Sequence, residues 1–125
     1  MTYQLHHIHL ICRDLQTMIG FFTDSIGASL VERRKFGTAD GATLDLKGIH
    51  INLRVAREDE EIKTNFAQST YGYDHIGLEV KDIQAAYQDL TGRGYKFFLP
   101  PREVAGHTIA FFKGPENITI ELIQS

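Results

Sequence analysis

The sequence predicts an α+β fold of two tandem βαβββ modules, about residues 5–55 and 73–124, within one domain spanning 1–125. Three observations carry this. His7-Ile8-His9-Leu10-Ile11-Cys12-Arg13-Asp14-Leu15-Gln16 and His75-Ile76-Gly77-Leu78-Glu79-Val80-Lys81-Asp82-Ile83-Gln84 align without a gap, with His, Ile, Leu, Asp and Gln identical. Each stretch alternates like a strand and then passes, through an aspartate, into helical spacing. The final strand-like runs correspond as well, Ile49-His50-Ile51-Asn52-Leu53 against Ile118-Thr119-Ile120-Glu121-Leu122. A pattern repeated with histidine in one slot reads as a tandem duplication.

In the first copy, residues 5–12 put Ile8, Leu10 and Cys12 on one side and His7, His9 and Ile11 on the other, because strand side chains switch faces with period two. Asp14 is placed to cap a helix, its carboxylate accepting from the open amides of the first turn. Leu15, Met18, Ile19, Phe22 and Ile26 recur at helical spacing, and Gly27 supplies a left-handed stop. A strand follows over 28–35, then a loop over 36–43, signalled by Gly37, Asp40 and Gly41. Thr43–Leu46 and Gly48–Val55 read as a hairpin. In its second strand His50, Asn52 and Arg54 share one side, and Ile49, Ile51 and Leu53 the other. Residues 56–70, opening Ala56-Arg57-Glu58-Asp59-Glu60-Glu61, predict a solvated linker or short helix.

The second copy opens at Tyr73. Ile76, Leu78 and Val80 form its apolar side, opposite His75, Gly77 and Glu79. Asp82 caps a helix carrying Ile83, Ala86, Tyr87 and Leu90, which ends at Gly92 or Gly94. Tyr95–Leu99 is a strand that Pro100-Pro101 breaks, and His107–Phe112 is another. After the Gly114-Pro115 turn, Ile118, Ile120 and Leu122 line one side, with Thr119 and Glu121 on the opposite one.

Apolar residues make up 42% of the chain and charged residues 23%, which suits a folded core facing water. A net charge of -3 gives no electrostatic reason to expect nucleic acid or an anionic membrane as partner. No apolar run approaches the roughly 18 residues that a membrane span needs. Met1-Thr2-Tyr3-Gln4-Leu5 lacks the basic-then-apolar layout of a signal peptide, and a lone cysteine forms no internal disulfide, so a cytoplasmic location is expected. Cys12 falls on the apolar side of its strand and is read as core rather than nucleophile.

Each module presents a sheet whose apolar side its own helix can cover. The other side carries His7, His9, His50, Asn52, His75, Glu79, Thr119 and Glu121, which a cavity between the two sheets would gather. Each such group costs about 1–3 kcal/mol if buried unpaired. A metal ion satisfies several together, since neutral imidazole and carboxylate are common ligands. The alternative is a hydrogen-bonded polar cavity that binds a small molecule without metal. Symmetry selects His7 and His75 in the first strands and Asn52 and Glu121 in the last. Two histidines and one carboxylate leave coordination positions open for water or substrate. Asn52 either lends its amide oxygen weakly or hydrogen-bonds a bound water. His9 and His50 share that face as candidate acid–base or supporting groups, with a satisfied cavity histidine as the alternative. His107 follows Gly106 at a loop edge, at the rim or on the surface. Arg34, Arg54, Arg102 and Lys113 are candidates for an anionic substrate tail, with simple exposure as the alternative.

The run from His7 to Phe21-Phe22 resembles the vicinal oxygen chelate superfamily, which has His, an alternating strand, Asp-Leu and then an aromatic pair on the helix. Gly72-Tyr73-Asp74-His75-Ile76-Gly77-Leu78 and Ile118-Thr119-Ile120-Glu121-Leu122 resemble its second-half signatures, and the likeness spans essentially the whole chain. The resemblance implies a glyoxalase-like open barrel around a polar cavity, with metal ligands at His7, Asn52, His75 and Glu121. It implies one divalent ion per site, a small-molecule substrate and a homodimer. Zn, Ni, Co, Mn and Fe all suit the donor types. The implied chemistry is that of a lyase or isomerase: an ion chelates two vicinal oxygens of the substrate, and Glu121 serves as general base for a proton α to a carbonyl.

The sequence departs from the family in places. Glyoxalase I enzymes place Glu, and epimerases Gln, where this chain has Asn52; an asparagine accepts no proton, which argues against a two-base shuttle. Gly114-Pro115-Glu116-Asn117 stands where the family has Asp-Pro-Asp-Gly. Competing readings are an extradiol-dioxygenase-like or fosfomycin-resistance-type enzyme on the same His/His/Glu set, or a non-catalytic antibiotic-binding protein.

Overall fold

Four strands and one helix recur twice along the chain, each time with the helix laid on the apolar side of its own sheet. The computed structural model describes residues 1–64 and 69–125 and divides into two units, Met1–Lys63 and Thr64–Ser125. Both are mixed four-stranded sheets, as the α+β reading expects.

The first unit runs β1 (His7–Cys12), α1 (Leu15–Gly20), β2 (Ser29–Phe36), β3 (Ala39–Leu46) and β4 (Ile49–Val55), in sheet order β1-β4-β3-β2. Asp14 caps α1, its Oδ1 accepting from the Thr17 amide at 3.0 Å. The helix widens into a π-helical stretch, Phe21–Ile26, and stops at Gly27, whose φ of 96° is the left-handed conformation expected of it. Met18, Ile19, Phe21 and Phe22 are buried, and α1 lies against β3 and β4, whose Leu44, Ile51 and Leu53 are buried as well. Removing each such side chain from water contributes about 1.5–3 kcal/mol. Cys12 lies in this core, as expected.

The second unit runs β5 (Ile76–Glu79), α2 (Ile83–Gly92), β6 (Phe97–Val104), β7 (His107–Lys113) and β8 (Thr119–Gln124), in sheet order β5-β8-β7-β6. Asp82 repeats the cap, with Oδ1 3.0 Å from the Ala85 amide. The Gln124 side chain accepts from the Ile83 amide at 2.7 Å, tying α2 to the last strand. Ile83, Leu90, Ala110, Phe112, Ile120 and Leu122 form the core. Gly94, with φ of 99°, takes the left-handed position beyond the helix.

Three expectations need correction. Residues 36–43 are not a loop: the turn is Gly37-Thr38 alone, and β3 begins at Ala39 opposite Phe36. Gly41 sits in mid-strand because a Cβ there would run into the Leu53 carbonyl and stand 2.6 Å from the Phe36 ring. Pro100-Pro101 does not end its strand either. β6 is an edge strand, and its register slips between Leu99 and Arg102, so the missing amides break no regular ladder. The segment after β4 is more than a solvated linker, since Glu60 reaches back to Arg54, a contact taken up below. The part of that segment covering 65–68 lies outside the described residues.

Gly41→Ala is expected to destabilise the protein by about 1–3 kcal/mol through overpacking. Urea unfolding reads this as a lower midpoint with unchanged slope; a midpoint equal to wild type would show that both the Leu53 backbone and Phe36 give way freely.

Candidate metal centre

In the second unit, the last two residues before β5 and the middle of β8 come together. His75 Nδ1 lies 2.7 Å from Asp74 Oδ2, and its Nε2 lies 3.1 Å from Glu121 Oε1. Gly77 pairs with Glu121 across the parallel ladder, which sets the carboxylate beside the start of β5 and so within reach of His75. The hydrogen bond that the His75 ring donates to the Asp74 carboxylate is the main cause that raises the His75 pKa above its usual value. Glu121 adds a hydrogen bond and charge in the same direction, and burial opposes them.

The donor set fits a divalent ion. Two ligands each about 2.1 Å from one ion stand roughly 3.0–3.4 Å apart, the spacing that Nε2 and Oε1 already have. Asp74 on Nδ1 fixes the ring orientation and tautomer, as an outer carboxylate does for a metal-bound histidine. Among the described residues, no group of three or more His, Cys, Asp or Glu side chains is drawn up to hold an ion.

In the first unit, His7 and His9 on β1 pair in register with His50 and Asn52 on β4. The His7 and His9 rings are 6.3 Å apart, and His7 Nδ1 lies 2.9 Å from His6 Nδ1. His50 Nε2 faces Asp45 Oδ1 at 3.7 Å. The Asn52 amide oxygen accepts from the Thr43 hydroxyl at 2.8 Å, and both residues are buried. That oxygen is therefore oriented by the fold rather than left facing a ligand alone.

His9 meets Phe36 at 4.5 Å between ring centroids, and Arg34 lies over the other ring at 4.5 Å. Partial burial lowers the His9 pKa most, and the nearby charges of Arg54, His7, Arg34 and Arg57 lower it further, so its imidazole is neutral at physiological pH.

Arg54 departs from simple exposure. It is 8% exposed and forms a bidentate pair with Glu60, at 2.7 and 2.8 Å. Hydrogen bonds from Arg54, and then from the Arg57 amide, hold the Glu60 carboxyl down to about 2. Arg34, Arg102, Lys113 and His107 are exposed; His107 merely opens β7 opposite Val104. Reading the sequence overlooked Asp74, Thr43 and Glu60. Thr43 was findable, since a hairpin places it across from Asn52. Asp74 adjoins His75 in the chain and would have pointed away from it in a regular strand, but β5 starts only at Ile76.

Comparison with known proteins follows the same lines. A family profile described as the Glyoxalase/Bleomycin resistance protein/Dioxygenase superfamily matches residues 4–122. A Vibrio cholerae protein named as a probable lactoylglutathione lyase is 32% identical, over 98% of this chain and 91% of its own. A Synechocystis protein of the same name is 28% identical, over 97% and 95%. A lactoylglutathione lyase of Arabidopsis thaliana is 28% identical over 94% of this chain, which spans only 43% of that longer protein. A glyoxalase family protein from Bacillus cereus superposes with a TM-score of 0.84 at 18% identity, covering 99% of this chain and 95% of the other. The genomically encoded fosfomycin resistance protein of Listeria monocytogenes superposes at 0.78, also with 18% identity, covering 100% and 95%. At these identities the structural likenesses establish the fold alone.

Glu60 gives a measurable acid signature. Because its folded pKa is depressed, its stabilising contribution is complete above the ordinary carboxyl value near 4.5 and is lost as pH falls towards about 2. The difference in urea midpoint between wild type and Glu60→Gln is expected to be constant above pH 5 and to shrink steadily below it. A difference independent of pH down to 2 would remove the ion pair as its source.

Proposed function

The chain belongs to the glyoxalase/bleomycin resistance protein/dioxygenase superfamily, and from that premise we propose that it is a metal-dependent enzyme of the glyoxalase kind. It carries out lyase or isomerase chemistry on a small substrate with vicinal oxygens. The observation that carries this reading is the His75–Glu121 pair at 3.1 Å, backed by Asp74. The names of the Vibrio and Synechocystis relatives support the lyase assignment.

His75 Nε2 and Glu121 are the two ligands that one unit brings together, and the repeat in the sequence nominates His7, the counterpart of His75, as a third. Asn52, fixed by Thr43, offers its amide to a substrate or water rather than a strong metal bond. A bound divalent ion, of the Zn, Ni, Co, Mn or Fe type, supplies Lewis-acid stabilisation of negative charge on the substrate oxygens. Glu121 accepts the proton α to the carbonyl, since Asn52 cannot. His9, kept neutral, is able to accept or relay a proton, and His50, paired with His7 in the ladder, is the second candidate acid–base group. On this reading the chain is a single domain working as a homodimer in the cytoplasm, on the strength of the sequence resemblance and the lone cysteine.

Isothermal titration with Zn(II) and Mn(II) tests the site. Wild type is expected to bind one ion per chain, His75→Ala and Glu121→Gln to lose binding, and Asp74→Asn to weaken it by about 10–100-fold. Lactoylglutathione formation is then assayed with and without the ion. Full turnover by the chelated protein would defeat the proposal, and catechol cleavage with Fe(II) would transfer the site to the dioxygenase reading.

A further inference from the structure

Beside the His75–Glu121 pair, the second unit carries a row of rings that its core does not use. Phe111 pairs with Glu121 and Lys113 with Thr119, so the four share one side of β7 and β8, while Phe112 points to the other. Phe112 is fully buried against Tyr95 and Phe97. Phe111 instead meets the His75 ring edge-on, at 5.2 Å and 82°, and lies against Phe98 at 5.7 Å and 34°. Phe98 is 57% exposed, turned out where the register slips between Phe97 and Leu99. Lys113 places its Nζ 5.5 Å over the Phe98 ring and donates to the Thr119 hydroxyl at 2.6 Å. It meets no carboxylate among the described residues.

An aromatic ladder that leads from a candidate metal ligand to an exposed ring, with a cation above its end, has a specific complement. Flat π systems stack on such rings in offset or tilted geometry with a gain beyond area burial, which a puckered aliphatic ring of equal size does not receive. Lys113 stands one strand repeat, about 7 Å, along β7 from Phe111, so it meets a charge carried at the far end of such a body. We propose that Phe111, Phe98 and Lys113 form the specificity surface of this site, selecting substrates with a planar unsaturated body and an anionic group. The inference rests on the metal-centre reading above for its place in the reaction, but recognition of the planar anion does not require the ion.

The probes are benzoate, cyclohexanecarboxylate (same charge, no π face) and benzyl alcohol (same ring, no charge). Each is titrated by NMR into the whole chain, once chelated and once with Zn(II). Benzoate is expected to bind roughly threefold to tenfold tighter than cyclohexanecarboxylate, and Phe98→Ala to abolish that preference. Lys113→Met, which keeps the aliphatic stem, is expected to remove an advantage of about threefold over benzyl alcohol while sparing the preference for a flat ring. Both side chains are exposed, so the variants keep the fold, which circular dichroism checks. Equal binding of benzoate and cyclohexanecarboxylate, no binding of either, or an unchanged preference in Phe98→Ala overturns the proposal. Zn(II) titration of the wild type separates the two readings: a protein that binds no ion but still prefers benzoate sinks only the metal centre.

Discussion

Parallel pairing of the first strand with the last is the constraint on which each unit depends. Parallel neighbours cannot be joined by a tight turn, so the helix and the intervening strands form the long connection between them. β1 against β4, and β5 against β8, bring residues from opposite ends of a module onto one ladder: His9 beside Asn52, and Gly77 beside Glu121. The helix-covered side is then closed by Met18, Phe22, Leu44 and Leu53 in one unit, and by Phe112, Ile120 and Leu122 in the other. Polar side chains collect on the remaining side because alternation leaves them no other.

The two copies have kept this scaffold and parted in chemistry. In the first, the polar groups are satisfied locally: Thr43 holds Asn52, and Glu60 neutralises Arg54. In the second, two carboxylates converge on one imidazole, an arrangement that concentrates negative potential and favours a cation. The equivalent slots thus hold a neutral amide in one copy and an acid in the other, a divergence that a duplicated frame permits once either half can change alone.

Local features were legible in the sequence. Asp14 and Asp82 cap their helices, Gly27 stops the first, and the strand alternation separates polar from apolar sides, because each depends on neighbours within a few residues. Matching repeat positions singled out His75 and Glu121, which the fold brings together. Features that depend on distant partners were not legible. Gly41 looked like a loop signal and is instead the floor beneath Phe36. Pro100-Pro101 looked like a strand breaker, which holds for a central strand but not for an edge. Arg54 was placed on the polar side correctly, yet only the returning chain at Glu60 explains its burial.

The outer strands β2 and β6 have a further effect. A sheet margin with regular, unoccupied amides and carbonyls invites a neighbouring polypeptide to dock as one more strand. Here β6 carries adjacent prolines, which offer no N–H, and β2 carries Glu32, Arg33, Arg34 and Lys35 in succession, with an irregular register in both. These two of the four sheet margins are therefore poor seeds for fibril growth.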